Sequence, residues 1–440
     1  MIQLVKISFV LTLTFFLFSC FGPVKELKYQ IEDSWEDSSS FANNPTPLSD
    51  IENKINLFVQ SKSSLSGASK RNFKLGFSVD NVFYASEDGL ISCLNIVSNE
   101  ISWDFRHQEK ILSGLTADSK KIYFVDYKGY LNALSVNGYL EWRTFVGEVF
   151  SPPLVTRDSV IIKTTSNRFV SMNIIDGQEL WYYQLPIPSL SIRSWGEMIL
   201  IENVIYSGLN SGKIIAINSL DGSLIWETTF SQPKGSSEIE RSNDATSKPV
   251  VDDYVVYIVA SAGNVAALSR VDGGVLWSRP LSSFVGMDAD NDTLYITHNS
   301  GSIYAVNKES NKVKWRNADF LGRDVSKPVI FKNYVVVNDF EGYLHFLDKV
   351  TGQALSRIKV SNTLLLEPII NQDGENLIVC STSGDIMIIT TNSTQFKVNV
   401  KSEANEKINL KGDINDEEKI NTKPVQDNDE SIIDTLIFWD

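Results

Sequence analysis

Six tryptophans recur at nearly regular intervals through the middle of the chain, at Trp103, Trp142, Trp181, Trp226, Trp277 and Trp315. Their separations are 39, 39, 45, 51 and 38 residues. Most of them follow an Asn-Gly or Asp-Gly turn and a short apolar run, as in residues 221–226 and 272–277. Such dipeptides between apolar runs are a strong β-hairpin signal. Because an internal repeat of about forty residues restricts a chain to repeat architectures, this period constrains the fold more than any other feature.

A second hairpin precedes each of these turns, and its own turn residue can be followed through eight repeats. These residues are Gly89, Gly129, Asn167, Gly212, Gly263, Gly301, Gly342 and Gly384. The seventh repeat has Ser356 in place of tryptophan, and the eighth loses the pattern after Gly384. Between the turns lie short runs rich in Val, Ile and Tyr, without a helical period. Four short strands in each of eight repeats predict an all-β fold, an eight-bladed β-propeller with four antiparallel strands per blade.

Closure of the ring distinguishes this fold from a solenoid, the alternative repeat architecture. A solenoid needs polar capping repeats and leaves long sheet edges, whereas a closed ring avoids both. The strand-like segment from Phe73 to Val79 is predicted to supply the missing strand of the final blade. We therefore predict that the propeller spans residues 67–400.

The repeating tryptophan is predicted to be structural. On the last strand of its blade a large rigid ring can wedge between neighbouring sheets, and truncating such a ring costs about 3–5 kcal/mol. A turn glycine followed four residues later by tryptophan, as in Gly222 and Trp226, resembles the tryptophan-docking motif of pyrroloquinoline-quinone-type propellers.

The N-terminal residues predict export. Lys6 precedes an uncharged apolar run, residues 7–18, which has the length of a signal-peptide core and is too short to span a bilayer. The run ends at Leu17-Phe18-Ser19-Cys20, which resembles a bacterial lipobox. We expect residues 1–19 to be a signal peptide and Cys20 to be lipidated, which would attach the chain to a membrane. A buried cysteine after an ordinary signal peptide is the alternative.

Residues on either side of the repeats differ from them in composition. Residues 20–66 are polar and rich in Ser, Asn and Pro, and we predict a flexible tether between the lipid and the propeller. Residues 401–440 contain five Lys against eleven Asp and Glu, which predicts an acidic disordered tail. Phe21, rather than an aspartate, follows Cys20. By resemblance to bacterial lipoproteins, this implies delivery to the outer membrane, on its periplasmic face.

Charge and cysteine content narrow the classes of partner. The net charge is −14 and no basic stretch could follow a phosphate backbone, so nucleic acid is not an expected partner. Cys93 and Cys380 lie in apolar runs and do not form a close-spaced pair typical of zinc sites. They are predicted to be buried thiols, although they could pair if the first and last repeats are neighbours in the ring.

An enzyme is the main rival to a binding function, because quinoprotein dehydrogenases use the same propeller. Such enzymes need a quinone, a Ca²⁺ held by carboxylate and amide oxygens, a catalytic Asp and often a vicinal Cys-Cys pair. The sequence has no Cys-Cys pair and no dense group of Asp, Glu and Asn outside turns. His107, His298 and His345 fall in unrelated positions, and His345 is predicted to lie on a sheet surface. We therefore predict no enzymatic activity, no cofactor, no metal site and no catalytic residues.

The two longest repeat intervals are consecutive, and their extra residues follow the tryptophan strand in both cases. Connections of one type emerge on the same face of a propeller, so these two loops should be neighbours on one rim. The first loop contains Leu190, Ile192 and Arg193, and the second contains Arg241 and Asp244. An apolar pair beside an arginine, surrounded by charges, is typical of an interface anchor and its rim. We predict that these five residues bind a protein partner. The alternatives are burial of Leu190 and Ile192 between blades and a solvated Arg193.

The same loops carry a specific family resemblance. Residues 188–193 and 239–244 are similar to the loops through which the BamB family of propeller lipoproteins contacts the POTRA domains of the barrel protein BamA. Residues 339–345 also resemble the seventh blade of that family. The resemblance covers residues 67–395 and implies a scaffold of the outer-membrane β-barrel assembly machinery, with BamA and the other assembly lipoproteins as partners. A generic envelope propeller that binds another protein or a carbohydrate, and a quinone-dependent dehydrogenase, remain alternatives.

Overall fold

The computed structural model describes residues 45–71, 73–186, 196–232, 244–245 and 247–391. Thirty-two strands in these residues form eight antiparallel sheets of four strands each. The predicted all-β, eight-bladed propeller is confirmed. None of the described residues belongs to a helix long and apolar enough to cross a membrane.

The first four blades follow one another along the chain. Blade 1 contains β2 (Gly76–Ser78), β3 (Asn81–Ala85), β4 (Leu90–Asn95) and β5 (Glu100–Arg106). Blade 2 contains β6 (Thr116–Ala117), β7 (Lys121–Val125), β8 (Tyr130–Ser135) and β9 (Leu140–Phe145). Blade 3 contains β10 (Leu154–Val155), β11 (Ser159–Lys163), β12 (Arg168–Asn173) and β13 (Glu179–Gln184). Blade 4 contains β14 (Met198–Ile201), β15 (Val204–Leu209), β16 (Lys213–Asn218) and β17 (Leu224–Thr229).

The remaining blades continue this order except at the ring closure. Blade 5 contains β18 (Val250–Val251), β19 (Val255–Val259), β20 (Asn264–Ser269) and β21 (Val275–Pro280). Blade 6 contains β22 (Met287–Ala289), β23 (Thr293–Thr297), β24 (Ile303–Asn307) and β25 (Val313–Asn317). Blade 7 contains β26 (Val329–Phe331), β27 (Tyr334–Asn338), β28 (Tyr343–Asp348) and β29 (Ala354–Lys359). Blade 8 contains β30 (Ile369–Ile370), β31 (Leu377–Cys380), β32 (Asp385–Thr390) and β1 (Phe58–Ser64).

The first strands of successive blades contact one another around the axis, as β2, β6, β10 and β14 do. Because the strands of a blade alternate in direction, its connections alternate between two faces. We call the face with the second-to-third-strand hairpins and the blade-to-blade connections the loop face. The other face, with the remaining hairpins, is the turn face.

The ring is closed by a strand that precedes all the repeats. β1 pairs antiparallel with β32, in a register that runs from Phe58 opposite Thr390 to Ser64 opposite Asp385. The prediction that Phe73 to Val79 supplies this strand is wrong, because residues 76–78 form the first strand of blade 1. The predicted boundary at residue 67 is therefore too late, and the described part of the predicted tether includes a propeller strand.

The segment before β1 also packs against the propeller. The amide of Lys54 donates to the carbonyl of Leu355 at 2.8 Å, and the amide of Thr46 donates to that of Leu321 at 2.9 Å. Leu48 and Ile55 contact apolar clusters of blades 6, 7 and 8. Residues 45–57 thus pack against blades 6, 7 and 8 instead of forming a free tether.

Burial explains why the strands differ in composition. Second and third strands such as β3 and β4 lie between neighbouring blades and are buried along almost their whole length, so they are continuous apolar runs. Fourth strands are edge strands with largely alternating exposure and carry charged residues, such as Glu and Arg in β9 and Lys and Arg in β25. The core is therefore a series of apolar layers between adjacent blades.

The structural role of the tryptophans is confirmed. Each of the six lies in a fourth strand, and its indole N–H donates to a backbone carbonyl in the third-to-fourth-strand turn of the next blade, over 2.8–3.2 Å. The ring of Trp181 covers Gly222, where an added Cβ would lie 2.4 Å from Cε3 of the ring. The φ of Gly222 is +75°, so both space and backbone conformation require glycine.

The two cysteines of the propeller are buried thiols, as predicted. Cys93 and Cys380 are both free, and they lie in different apolar clusters. Burial raises the pKa of Cys93 to about 11 and that of Cys380 further, so both remain protonated and unreactive at neutral pH.

Candidate partner-binding site

The two long connections leave the loop face at neighbouring blades, as the repeat spacing predicts. Loop 3–4, residues 185–197, joins β13 to β14, and loop 4–5, residues 230–249, joins β17 to β18. Both are connections from the fourth strand of one blade to the first strand of the next. Their tips lie outside the described residues, but both ends of each loop are described.

Loop 3–4 begins on the β11–β12 hairpin of blade 3. The amide of Leu185 donates to the carbonyl of Asn167 at 3.1 Å, and the Asn167 side chain donates to the carbonyl of Pro186 at 3.4 Å. Leu185 is buried against Met198 and other apolar residues of blades 3 and 4. Asn167 adopts a φ of +57°, and asparagine tolerates this conformation better than most residues do. Its amide therefore gives blade 3 a contact to the loop that a glycine could not make.

Loop 4–5 is held at both ends by the β15–β16 hairpin of blade 4. At its start, the amides of Phe230 and Ser231 donate to the carbonyl of Gly212 at 3.0 and 3.2 Å. At its end, the amide of Ala245 donates to the carbonyl of Leu209 at 3.0 Å. The Asp244 carboxylate accepts a 3.0 Å hydrogen bond from the amide of Ser211. One rigid hairpin thus fixes where the loop leaves and where it returns.

The predicted partner-binding residues fall into two groups. Leu190, Ile192, Arg193 and Arg241 lie outside the described residues, as does Cys20. Asp244 is described and is 2% exposed. Its carbonyl accepts from the amide of Ser261 at 2.9 Å, in addition to the contact that its carboxylate makes with Ser211. The structure therefore places Asp244 at the buried base of loop 4–5 and not on its surface.

Charged side chains surround the propeller axis, where a quinone would have to fit. Each blade contributes one residue at this level, two positions before its first strand or, in blades 4 and 6, one position before it. These residues are Lys74, Gly114, Pro152, Glu197, Lys248, Gly286, Lys327 and Glu367. The ammonium of Lys74 lies 2.7 Å from Glu197 and 2.9 Å from Glu367, and Lys327 also pairs with Glu367. These ion pairs join blades 1, 4, 7 and 8 across the centre of the ring.

The acidic groups of this axial cluster are paired with lysines. Burial opposes ionisation of Glu367, but Lys327 and Lys74 outweigh it and hold the pKa of this carboxyl well below its usual range. Burial likewise opposes the charge of Lys74, yet Glu197 and Glu367 raise its pKa. The acidic groups are thus neutralised by protein cations. This donor set does not fit a quinone with a Ca²⁺ ion, which would need free carboxylate and amide oxygens.

His345 is buried and hydrogen-bonded inside the propeller. His345 is 1% exposed, so its predicted position on a sheet surface is wrong. Its Nε2 lies 3.0 Å from the Asp339 carboxylate, which also accepts from Arg323 at 2.7 and 3.0 Å. Burial lowers the pKa of His345 despite that carboxylate. Among the described residues, no group of three or more His, Cys, Asp or Glu side chains is placed to hold a metal ion.

The aspartate that contacts His345 has a counterpart in another blade, and the sequence analysis did not predict a role for either residue. Asp339 and Asp126 both open an Asp-x-x-Gly-Tyr-Leu segment, residues 339–344 and 126–131. One oxygen of each carboxylate accepts from two amides of its own hairpin, while the other accepts from cationic or polar side chains. The recurrence of this segment in blades 2 and 7 was the available signal. Its role is to fix the hairpin on the loop face.

Comparisons with known proteins agree with this architecture. The sequence profile of "Outer membrane protein assembly factor BamB" matches residues 87–317, slightly more than half of the chain. The curated protein of that name from Nitrosomonas eutropha is 31% identical over 287 residues, which are 65% of this chain and 70% of the relative. That from Yersinia pestis is 28% identical over 358 residues, 78% of this chain and 91% of the relative.

Solved structures support the fold. The crystal structure of BamB from Moraxella catarrhalis has a TM-score of 0.70 at 23% identity, and the match covers 76% of this chain and all of that one. Quinohemoprotein alcohol dehydrogenase from Comamonas testosteroni has a TM-score of 0.63 at 11% identity, over 77% of each chain. Both similarities show the propeller alone, whereas the profile match covers the repeats that carry the two loops. The chain therefore belongs to the family of outer membrane protein assembly factor BamB.

Proposed function

We propose that this chain is a lipid-anchored, non-enzymatic scaffold for assembly of outer-membrane β-barrel proteins, on the periplasmic face of the outer membrane. Membership of the BamB family carries the proposal, because the relatives are named outer membrane protein assembly factors. The lipid on Cys20 would hold the chain at the membrane. No catalytic step is assigned to any residue.

The partner in this proposal is a BamA-like barrel protein with POTRA domains, in a complex with the other assembly lipoproteins. Loop 3–4 and loop 4–5 support it, because both begin on buried hydrogen-bonded bases of adjacent blades. A rigid base limits the conformational entropy that a loop loses on binding. Leu190 and Ile192 would supply desolvated apolar area, and Arg193 and Arg241 would form charge-assisted hydrogen bonds to carboxylates or strand-edge carbonyls. Asp244 would hold the base of loop 4–5 instead of contacting the partner.

The axial cluster favours a scaffold over a quinone-dependent dehydrogenase. Lys74, Glu197 and Glu367 are ion-paired at the ring centre and leave the described residues there without a free acidic group for Ca²⁺. A generic envelope propeller could have the same ion pairs at its axis. Only partner binding by the two loops therefore distinguishes an assembly scaffold from a generic envelope propeller.

The test is a binding titration of the POTRA domains with Leu190→Ala, Ile192→Ala and Arg193→Ala variants. Interface anchors commonly cost 2 kcal/mol or more when truncated, which is about thirtyfold in affinity. Leu220→Ala is the matched control, because Leu220 is 70% exposed on the turn face of blade 4. Circular dichroism and thermal melting establish that each variant is folded. Unchanged affinity in all three loop variants would mean that the partner uses another face.

A further inference from the structure

A lysine is buried between blades 3 and 4, directly below the bases of both long loops. Lys163 is the last residue of β11 and is 7% exposed. Residues in the equivalent position of the other seven blades, at or near the end of the second strand, are uncharged: Ala85, Val125, Gly208, Val259, Thr297, Asn338 and Cys380. Burial of a lone charge is costly unless it is compensated by hydrogen bonds or an opposite charge.

The Lys163 side chain crosses to blade 4 and donates to the carbonyl of Gly208 in β15. Gly208 is in turn pressed against the returning end of loop 4–5, since an added Cβ would lie 2.4 Å from the carbonyl oxygen of Ala245. The ammonium therefore holds the strand on which Asp244 and Ala245 dock. Burial lowers the pKa of Lys163 to about 8, and the Asp244 carboxylate partly offsets this effect.

The same residue is connected to the other loop through its own strand. The β11–β12 hairpin begins immediately after Lys163, and Asn167 in that hairpin bonds to Leu185 and Pro186 at the start of loop 3–4. Lys163 thus joins the hairpin that starts loop 3–4 to the hairpin that carries loop 4–5. No other described residue of β11 donates a side-chain hydrogen bond to blade 4.

We propose that Lys163 is a positioning residue that fixes loop 3–4 and loop 4–5 relative to each other for partner binding. Its ammonium compensates the Asp244 carboxylate at the base of loop 4–5 and ties blade 3 to the carbonyl of Gly208. This role rests on the proposed function, but its local part, anchoring of Asp244 and Ala245, can be measured without a partner.

The experiment compares Lys163→Met with Lys308→Met in the full-length protein. Methionine keeps most of the side-chain length and removes the charge. Lys308 is the matched control, because it is 7% exposed, as Lys163 is, and pairs with Asp252 at 2.9 Å on the turn face. The first measurement is hydrogen exchange of the amides of Ser211, Ala245 and Ser261. The amide of Ser211 donates to the Asp244 carboxylate, that of Ala245 to the carbonyl of Leu209, and that of Ser261 to the carbonyl of Asp244. We expect their protection factors to fall about tenfold in Lys163→Met and to stay unchanged in Lys308→Met.

The second measurement is a titration with the POTRA domains over a range of pH. In the wild type, affinity should fall as pH rises from 7 to 9, because a lysine with a pKa of about 8 loses its proton in this range. In Lys163→Met, affinity should be about tenfold lower at pH 7, with this fall removed. A purely structural lysine would change overall stability without removing that pH dependence.

The outcomes separate the two proposals. Unchanged protection in Lys163→Met overturns the positioning role, whatever the partner does. Lost protection with wild-type affinity in both Lys163→Met and the three loop variants overturns the proposed binding site, and with it the functional part of this role. If Lys163→Met does not fold, Asp244→Asn and the pH dependence of wild-type protection test the same contacts. Flat wild-type protection between pH 7 and 9, together with unchanged protection in Asp244→Asn, overturns the inference.

Discussion

Trp226 docks on blade 5, and the structure gives the size of the stability loss expected when this side chain is truncated. The indole is 7% exposed, packs 5.8 Å from the ring of Tyr206 and donates to the carbonyl of Arg270 at 3.1 Å. Burying about 200 Å² at about 25 cal/mol per Å² gives an upper value of about 5 kcal/mol. Partial collapse of the cavity reduces the loss, so Trp226→Ala should destabilise the propeller by about 3–5 kcal/mol.

The glycine under the ring should show the same contact from the other side. An added Cβ at Gly273 would lie 2.5 Å from Cε3 of Trp226. Gly273→Ala should therefore cost about 1–2 kcal/mol for its positive φ and about 1–3 kcal/mol more for the overlap. Gly374 is the matched control, because its φ is +73° against +72° at Gly273 and nothing lies within 4 Å of an added Cβ.

Urea denaturation of the wild type, the three single variants and the Trp226→Ala, Gly273→Ala double variant measures these values. Removing the ring removes the overlap, so the double variant should lose at least about 1 kcal/mol less than the two single losses added together. Gly273→Ala should also cost more than Gly374→Ala. The docking of this ring on the glycine would be refuted if the loss in the double variant equalled the sum of the two single losses. It would also be refuted if Gly273→Ala and Gly374→Ala lost the same stability.

Three further predictions address the anchor, the segment before β1 and the axis. Cys20→Ser should release the mature chain from membranes in cell fractionation, and a membrane-bound pool that survives carbonate washing would contradict lipid anchoring. Ile55→Ala should destabilise the protein by about 2–4 kcal/mol in urea, because Ile55 packs in the core between blades 7 and 8, whereas a flexible tether would predict no change. Glu367→Gln should cost about 1–3 kcal/mol at pH 7. The low folded-state pKa of Glu367 implies that this difference shrinks as pH falls below about 4.5, and a difference independent of pH would count against the axial ion pairs.

The repeat could be predicted from sequence because two residue types recur at fixed positions in most of the blades. Tryptophan is selected because its ring fills the gap between neighbouring blades. Glycine is selected at most of the turns because the turn lies directly under that ring. The closing strand could not be found in this way. β1 is an edge strand of sequence Phe-Val-Gln-Ser-Lys-Ser-Ser with mostly exposed side chains, so its composition is that of a linker.

Burial of polar residues was the harder part of the site to predict. His345 lies in a third strand, which neighbouring blades cover on both sides, and alternation along one strand does not reveal that second neighbour. Asp244 reads as a loop residue, but its partner Ser211 lies 33 positions earlier in the chain. Lys163 ends an apolar strand, and its buried charge is compensated by the Gly208 carbonyl and the Asp244 carboxylate, both in a later part of the chain. The burial of each of these polar residues depends on contacts between elements that are distant in sequence. The periodicity of the sequence does not predict such contacts.

The missing tryptophan of blade 7 follows from the way the ring closes. Each tryptophan docks on the third-to-fourth-strand turn of the next blade, but in blade 8 those strands are β32 and β1, which no hairpin joins. A tryptophan in blade 7 would therefore have no turn to cover. Ser356 stands there instead, and its hydroxyl bonds to the Asn53 side chain at 2.9 Å. The amide of Arg357 donates to the same Asn53 oxygen at 3.1 Å. The segment before β1 thus replaces the absent turn, which is why it must pack against blade 7.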